Sequence, residues 1–288
     1  MPSYFSLTPS EDGQPSSVFP FLPTWLPLYL AVARMSFQKQ LAYRAANLAG
    51  VATNGFFGAL RAFVMLALFE NRPQVAGWTP YEAVTYVAMT QALIMVVSMW
   101  GNNEHAQSIV SGEVVSDLSK PVDYYTFWLA RFVGRSVYGV VYRGALTFGL
   151  IWLFFRFYIP LDPVRWLAFG LTLLLATLVS FSIHFLVSSV VFWTLDVRGL
   201  NNMLSLVAML FSGFLVPLAF FPDWLVPIAR ALPWASMIQI PIETYLGKLT
   251  GLAYWQAVGF QASWFLVLML LGRLVVRLML RRLVVQGG

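Results

Sequence analysis

The sequence has 288 residues, 59% of them hydrophobic and only 10% charged, with a mean hydropathy of +0.72. Soluble domains carry about a quarter charged residues, so the chain is read as an all-α polytopic membrane protein. The net charge of +6 reads as the positive-inside bias of membrane loops rather than affinity for nucleic acid, and the absence of cysteine excludes disulfides and thiolate chemistry.

Residues 1–24 are polar and proline-bearing, with no basic start leading into an apolar run. They read as a flexible cytoplasmic tail and not as a signal peptide. A single membrane domain is expected over 25–288, opening with an interfacial helix over 25–44. Thr24 can cap it, Pro27 is tolerated in its first turn, and no breaker follows before Gly50. Leu28, Val32 and Met35 share one side while Leu30, Phe37 and Leu41 lie on another, which suits a helix wedged between bilayer surface and protein.

Six spans of about 20 apolar residues are expected after it. The first, 47–69, carries Asn54 and Arg61, and the second, 83–100, is uncharged. The third has a polar end around Arg131 and Arg135, then Arg143, then apolar 145–155. The fourth, 166–195, contains no Asp, Glu, Lys or Arg and exceeds what the hydrocarbon needs, so it tilts or projects. The fifth covers 200–220, and the sixth, 249–272, ends in Arg273, Arg277, Arg281 and Arg282. With both termini cytoplasmic, these four arginines join Arg34, Lys39, Arg44, Lys120, Arg131, Arg135 and Arg198 inside. Only Arg72, Arg156, Arg165, Arg230 and Lys248 fall outside.

Ahead of the last span, residues 217–246 hold Pro217, Pro222, Pro227, Pro233 and Pro241, with Trp224 and Trp234 among them. Each proline removes a backbone donor and clashes with the preceding turn. Broken backbone survives at membrane depth only where protein or a water-filled cavity satisfies its polar groups. This segment is therefore expected to enter the membrane, break and turn back on the outer side.

The chemistry available is limited. There is no phosphate-binding loop, since the Gly247–Lys248 pair lacks both the upstream glycine and the following hydroxyl. Any ATP-driven work comes from a partner. No catalytic or metal constellation emerges from two histidines, His105 and His184, with no partner three or four residues away. His184 is the one titratable group deep in an apolar span; it is either a neutral histidine bonded to a neighbouring helix or a proton relay or substrate contact. Arg61 lies mid-span and calls for an interior or interface position, whereas Arg143 can snorkel towards the cytoplasmic side. With Asn54, these are the candidate pathway or interface polar residues.

The strongest motif lies in the loop over 101–125. Residues Ile109, Val110, Ser111, Gly112, Glu113, Val114, Val115, Ser116, Asp117, Leu118, Ser119 and Lys120 read as one short helix ending before Pro121. Val110, Val114 and Leu118 recur at i, i+4, i+8, an apolar stripe flanked by Glu113, Asp117 and Lys120. It suits either a partner's groove or the headgroup layer.

The order of cytoplasmic helix, six spans, the run SGEVVSDLSKPVD, the following WLARFVGRSVYGVVYRG and a proline-broken stretch resembles the membrane subunit of bacterial ABC exporters of the type-2 permease superfamily, in the uncharacterised or multidrug subgroup. The resemblance covers the chain from about residue 25. It implies that 108–121 contact a separate ATPase subunit, which binds the ATP and magnesium, and that 217–246 form an outer re-entrant closure. It also implies a second permease, identical or paralogous, membrane lipid as a neighbour, residence in the bacterial inner membrane and an amphipathic, drug-like or lipid-like cargo. The expected function is that of a non-catalytic, ATP-driven export permease. A secondary transporter or channel working without an ATPase is the rival, and a membrane scaffold or sensor is a third reading.

Overall fold

The computed structural model describes residues 25–99, 103–155, 157–194 and 198–282. The expected tail with its Thr24 cap, together with Trp100 and Leu195 at the ends of two expected spans, lies outside these residues. The described chain is helical, with an isolated antiparallel bridge at Val75 and Trp78 and no strand. Helix α1 runs Trp25–Leu41, α2 Arg44–Leu68 and α3 Pro80–Leu93. Two short helices follow, α4 Asn103–Val110 and α5 Glu113–Ser119. Helix α6, Tyr124–Tyr138, passes through a π-helical turn at Gly139–Gly144 into α7, Ala145–Phe154. Then come α8 Pro163–Ser189, α9 Val191–Thr194, α10 Arg198–Phe211, α11 Val226–Ala231, α12 Gln239–Tyr245 and α13 Gly251–Arg282.

Among the described residues, four helical stretches are long and apolar enough to cross a bilayer: Arg44–Leu68, Tyr124–Phe154, Pro163–Thr194 and Gly251–Arg281. Their ends follow from local chemistry. Asp162 accepts a bond from the Val164 N–H at 2.9 Å and Pro163 starts α8 where its missing donor is harmless. Asp123 caps α6 through the Thr126 N–H, also at 2.9 Å. Helix α8 is the central rod: 67% of its apolar window is buried, against 17–28% for the other three. Its inner face is rich in buried Thr172, Thr177, Ser180, Ser182, Ser188 and Ser189, small residues whose hydroxyls glue helices without the bulk of a longer side chain.

The second and fifth expected spans are shorter than the sequence suggests. Helices α3 and α10 have 14 residues each, about 21 Å of helix against a hydrocarbon core of about 30 Å. Helix α3 starts in a capping box between Thr79 and Glu82 with Pro80 in its first turn. It ends at Leu93, and the chain continues as irregular backbone over 94–99, with Ser98 at φ 50°. Val96, Val97 and Met99 there are fully buried. Neighbouring hydroxyls take up the carbonyls that leave the helix ladder: Ser136 Oγ donates to Val96 O at 2.8 Å, and Ser180 Oγ to Val97 O.

Where an N-terminal helix over 25–44 is expected, α1 lies along α6 but ends at Leu41, and α2 begins at Arg44. Ser36 Oγ donates to Arg131 O at 2.7 Å, and Phe37 packs against Tyr138 with centroids 5.7 Å apart. The approach is close because Gly134 has no side chain: a Cβ there would lie 2.0 Å from Ala33 O. Gly134→Leu therefore pushes α1 off α6 and lowers stability by about 1–3 kcal/mol. Thermal unfolding in detergent detects this, and Gly170→Ala, where a Cβ meets nothing within 4 Å, leaves the midpoint within a degree or so of wild type.

Candidate functional site

Two polar clusters sit at opposite ends of the molecule. The first organises the proline-broken stretch. After α10 the chain turns at Gly213 (φ +81°), forms a 3₁₀ turn at Leu218–Phe220, then α11, a second 3₁₀ turn at Pro233–Ser236 and α12. Pro227 starts α11 and Pro233 starts the second 3₁₀ turn, positions where proline costs no hydrogen bond. Pro217, Pro233 and Pro241 are buried, while Pro222 and Trp224 face outward and Trp234 is half-buried.

Gln239 is the hub of this cluster. Its backbone N–H donates to Ser212 O at 3.0 Å. Its side-chain Oε1 accepts from the Leu218 N–H at 3.1 Å and lies 2.6 Å from Tyr86 Oη, while Nε2 donates to Glu243 at 2.8 Å. Tyr86 Oη also lies 2.7 Å from Gly213 O. Glu243 in turn accepts from Arg230 Nη2 at 2.8 Å. From α2, Arg61 donates to Phe214 O, to Leu215 O at 2.7 Å and to Thr90 Oγ1 at 3.3 Å, and its guanidinium lies 4.7 Å from the Phe214 ring centroid. Backbone that cannot form a helix is thus satisfied by one tyrosine, one glutamine and one arginine.

The second cluster fixes the 101–125 loop to the helix ends. His105 on α4 is buried, with Nδ1 2.7 Å from Ser188 Oγ on α8 and Nε2 2.9 Å from Tyr124 Oη on α6. Its ring stacks on Phe185 at 4.6 Å and 12°. Glu104 accepts from Lys39 of α1 at 2.9 Å and from Arg131 of α6 at 3.2 Å. Burial, with Arg131 nearby, drives the His105 imidazole down to about 3. Burial alone would raise Glu104, but Lys39 and Arg131 outweigh it and hold the carboxylate below its usual value.

The loop itself differs from the single helix expected. Gly112, at φ +79°, divides α4 from α5, a conformation glycine adopts freely and other residues rarely. The apolar stripe is divided with it. Ile109, Val114 and Asp117 turn inward and Leu118 is half-buried. Val110, Gly112, Glu113 and Pro121 remain exposed, joined by Val115. Asp117 is held by Lys120 at 2.6 Å.

The four candidate pathway residues are not brought together. Asn54 Nδ2 donates to Gln91 O at 3.4 Å and ties α2 to α3. Arg61 belongs to the outer cluster. His184 is buried with its ring facing the Val97 and Ser98 backbone, its Nε2 without a hydrogen-bond partner. Arg143 lies against α2. Tyr86, Gln239, Glu243 and Arg230 were not singled out from sequence. Their one visible sign is the i, i+4 pair Gln239 and Glu243 in an apolar stretch, two polar groups on one helix face with nothing local to satisfy them. An apolar cavity of about 190 Å³ lies among α3, α7 and α8, lined by Met89, Leu93, Phe148, Trp166 and Phe169.

Four helices among the described residues that are long and apolar enough to cross a bilayer point to a multi-pass membrane protein. Residues 57–287 match the family described as ABC-2 family transporter protein, and the chain belongs to that family. No curated protein and no solved structure matches it. Membership points to a transport subunit that works with ABC ATPases.

Two outcomes follow from the clusters. Gln239→Leu leaves the Leu218 N–H unpaired and strips one hydrogen bond each from Tyr86 and Glu243, which keep Gly213 O and Arg230; it costs about 1–3 kcal/mol by thermal unfolding, whereas Tyr86→Phe costs about 1 kcal/mol. For His105, the unfolded chain takes up a proton near pH 6.5 that the folded chain refuses until about 3. Stability is therefore flat above about pH 7 and falls as pH drops below 6.5, by up to about 1.4 kcal/mol per pH unit. His105→Asn makes that slope shallower in a pH series of melting curves.

Proposed function

We propose that this chain is the membrane-spanning permease subunit of an ATP-driven exporter, and that α4 and α5 are the surface on which a separate ATPase subunit docks. The observation that carries this reading is the His105 latch. A loop that only joined two spans would need no buried histidine bonded to α6 and α8 and no Glu104 bridge to α1 and α6. Rigid attachment to three helices allows a push on the loop to move the helix ends together. The exposed Val110 and Val115, with Gly112, Glu113 and Pro121, form the contact; Ile109, Val114, Asp117 and Leu118 hold it in place.

In this reading the chain crosses the membrane six times with both termini cytoplasmic. Helix α3 completes its crossing through the irregular 94–99, and α10 enters the outer closure formed by 217–246. Helix α1 lies at the cytoplasmic interface. Two permeases, identical or paralogous, pair with two ATPases in a bacterial inner membrane. ATP-driven closure of the ATPases shifts the population towards an outward-open state and moves an amphipathic, drug-like or lipid-like cargo. A carrier without an ATPase needs a titratable relay through the spans, and His184 faces backbone rather than a carboxylate.

Co-purification tests the assignment. Val110→Asp and Val115→Asp together release the co-expressed ATPase subunit and abolish ATP-dependent transport, while the melting temperature stays near wild type because both positions are exposed. If the ATPase still co-purifies with the double variant, the docking surface lies elsewhere. Solute flux from the reconstituted chain alone, lost in His184→Gln, would favour the carrier.

A further inference from the structure

The seam between α2 and α7 carries two arginines that no group among the described residues neutralises. Arg143, in the π-helical turn, makes no ion pair or hydrogen bond with another described residue, and its Nε is buried and unpartnered. Arg44, at the start of α2, is exposed and likewise has no carboxylate beside it among the described residues. Both border one cavity of about 480 Å³, together with Asn47, Tyr142, Leu48 and Leu146. Gly50 makes room for this arrangement. A Cβ at that position would sit 2.5 Å from Arg143 Nη2 and 2.6 Å from its Cζ, so the guanidinium lies where a side chain would otherwise be.

Gly50 is about 9 Å along α2 from Arg44. A guanidinium at that depth is costly without a counter-charge or water. Above the charged end, the same two helices form an apolar groove of about 570 Å³, bordered by Gly55, Phe56, Ala59, Leu150 and Phe154. From Ala52 to Phe63 the groove spans about 17 Å of helix, about half of the roughly 30 Å hydrocarbon core and so the depth of one leaflet. The seam's shape is that of a phospholipid: two cations and an amide at one end, then an acyl-length apolar channel.

We propose that the α2–α7 seam is a binding site for an anionic phospholipid, its phosphate held between Arg143 and Arg44 and its acyl chains laid along Gly55 to Phe63. The site neutralises Arg143 with a lipid where other membrane helices use a carboxylate. It needs only that α2 and α7 lie in a bilayer, and it stands or falls independently of where the ATPase docks.

The test uses the full chain purified in detergent, with three probes: palmitoyl-oleoyl phosphatidylglycerol, the matching phosphatidylcholine and inorganic phosphate. Native mass spectrometry reads retained lipid, and thermal unfolding reads stabilisation. Phosphatidylglycerol is retained over phosphatidylcholine, and Arg143→Gln reduces that preference about five- to tenfold. Gly50→Ala, which keeps both cations but displaces the guanidinium, reduces it comparably. Arg34→Gln, a cation on α1 outside the cavity, leaves it unchanged. Equal retention of the two lipids overturns the proposal, as does unchanged retention in Arg143→Gln and Gly50→Ala. Stabilisation by inorganic phosphate matching that by phosphatidylglycerol assigns the arginines to a soluble anion instead. If Arg143→Gln does not fold, Arg44→Gln and Gly50→Ala decide the outcome.

Discussion

In hydrocarbon, an unpaired backbone N–H or C=O costs several kcal/mol, and this fold depends on how it meets that constraint at its two breaks. At the first, over 94–99, the hydroxyls of Ser136 and Ser180 take the Val96 and Val97 carbonyls, while Arg135 bonds the Ser98 side chain. At the second, over 212–218, Arg61, Tyr86 and Gln239 pair the backbone groups. Without these donors, neither segment could stay irregular while buried.

The donors also decide which elements move as a unit. Helix α8 touches α12 and the second 3₁₀ turn towards one end, and α4 and α9 towards the other. Through Ser180 it also holds the first break. Helix α3 contributes Tyr86 to the Gln239 cluster and runs directly into the irregular stretch over 94–99. The His105 cluster and the Gln239 cluster are thus linked through two shared elements rather than through a chain of surface contacts. Gln261 of α13 adds a third tie, donating to Thr172 O at 3.0 Å and Ser236 O at 2.9 Å.

Much of this was legible in the residues, and the illegible part has a physical pattern. Hydropathy alone exposed the long helices, because a lipid-facing helix must be apolar along its whole length. The prolines marked the broken segment, since proline acts on its own backbone. The family resemblance drawn from the loop and span order agrees with the family match over 57–287. Helix α3 was overestimated because apolar residues such as Val96 and Val97 look the same in a buried turn as in a helix; only the hydroxyls that capture their carbonyls distinguish the two. The single loop helix failed at Gly112, whose left-handed conformation breaks a pattern that looked continuous. The outer network of Tyr86, Gln239 and Arg61 joins residues more than a hundred positions apart, and no local spacing encodes such pairings.

The π-helical turn at Gly139–Gly144 has a geometric result of its own. Each residue of an α-helix advances the side-chain direction by about 100°, so a wider turn resets the phase between the two halves of the rod. Below it, α6 aims Trp128 and Phe132 at the loop latch; above it, α7 aims Thr147 and Ile151 at the opposite neighbours. The rod works as two keys cut at different angles on one shank, and at the turn between them Arg143 lies against Gly50 of α2.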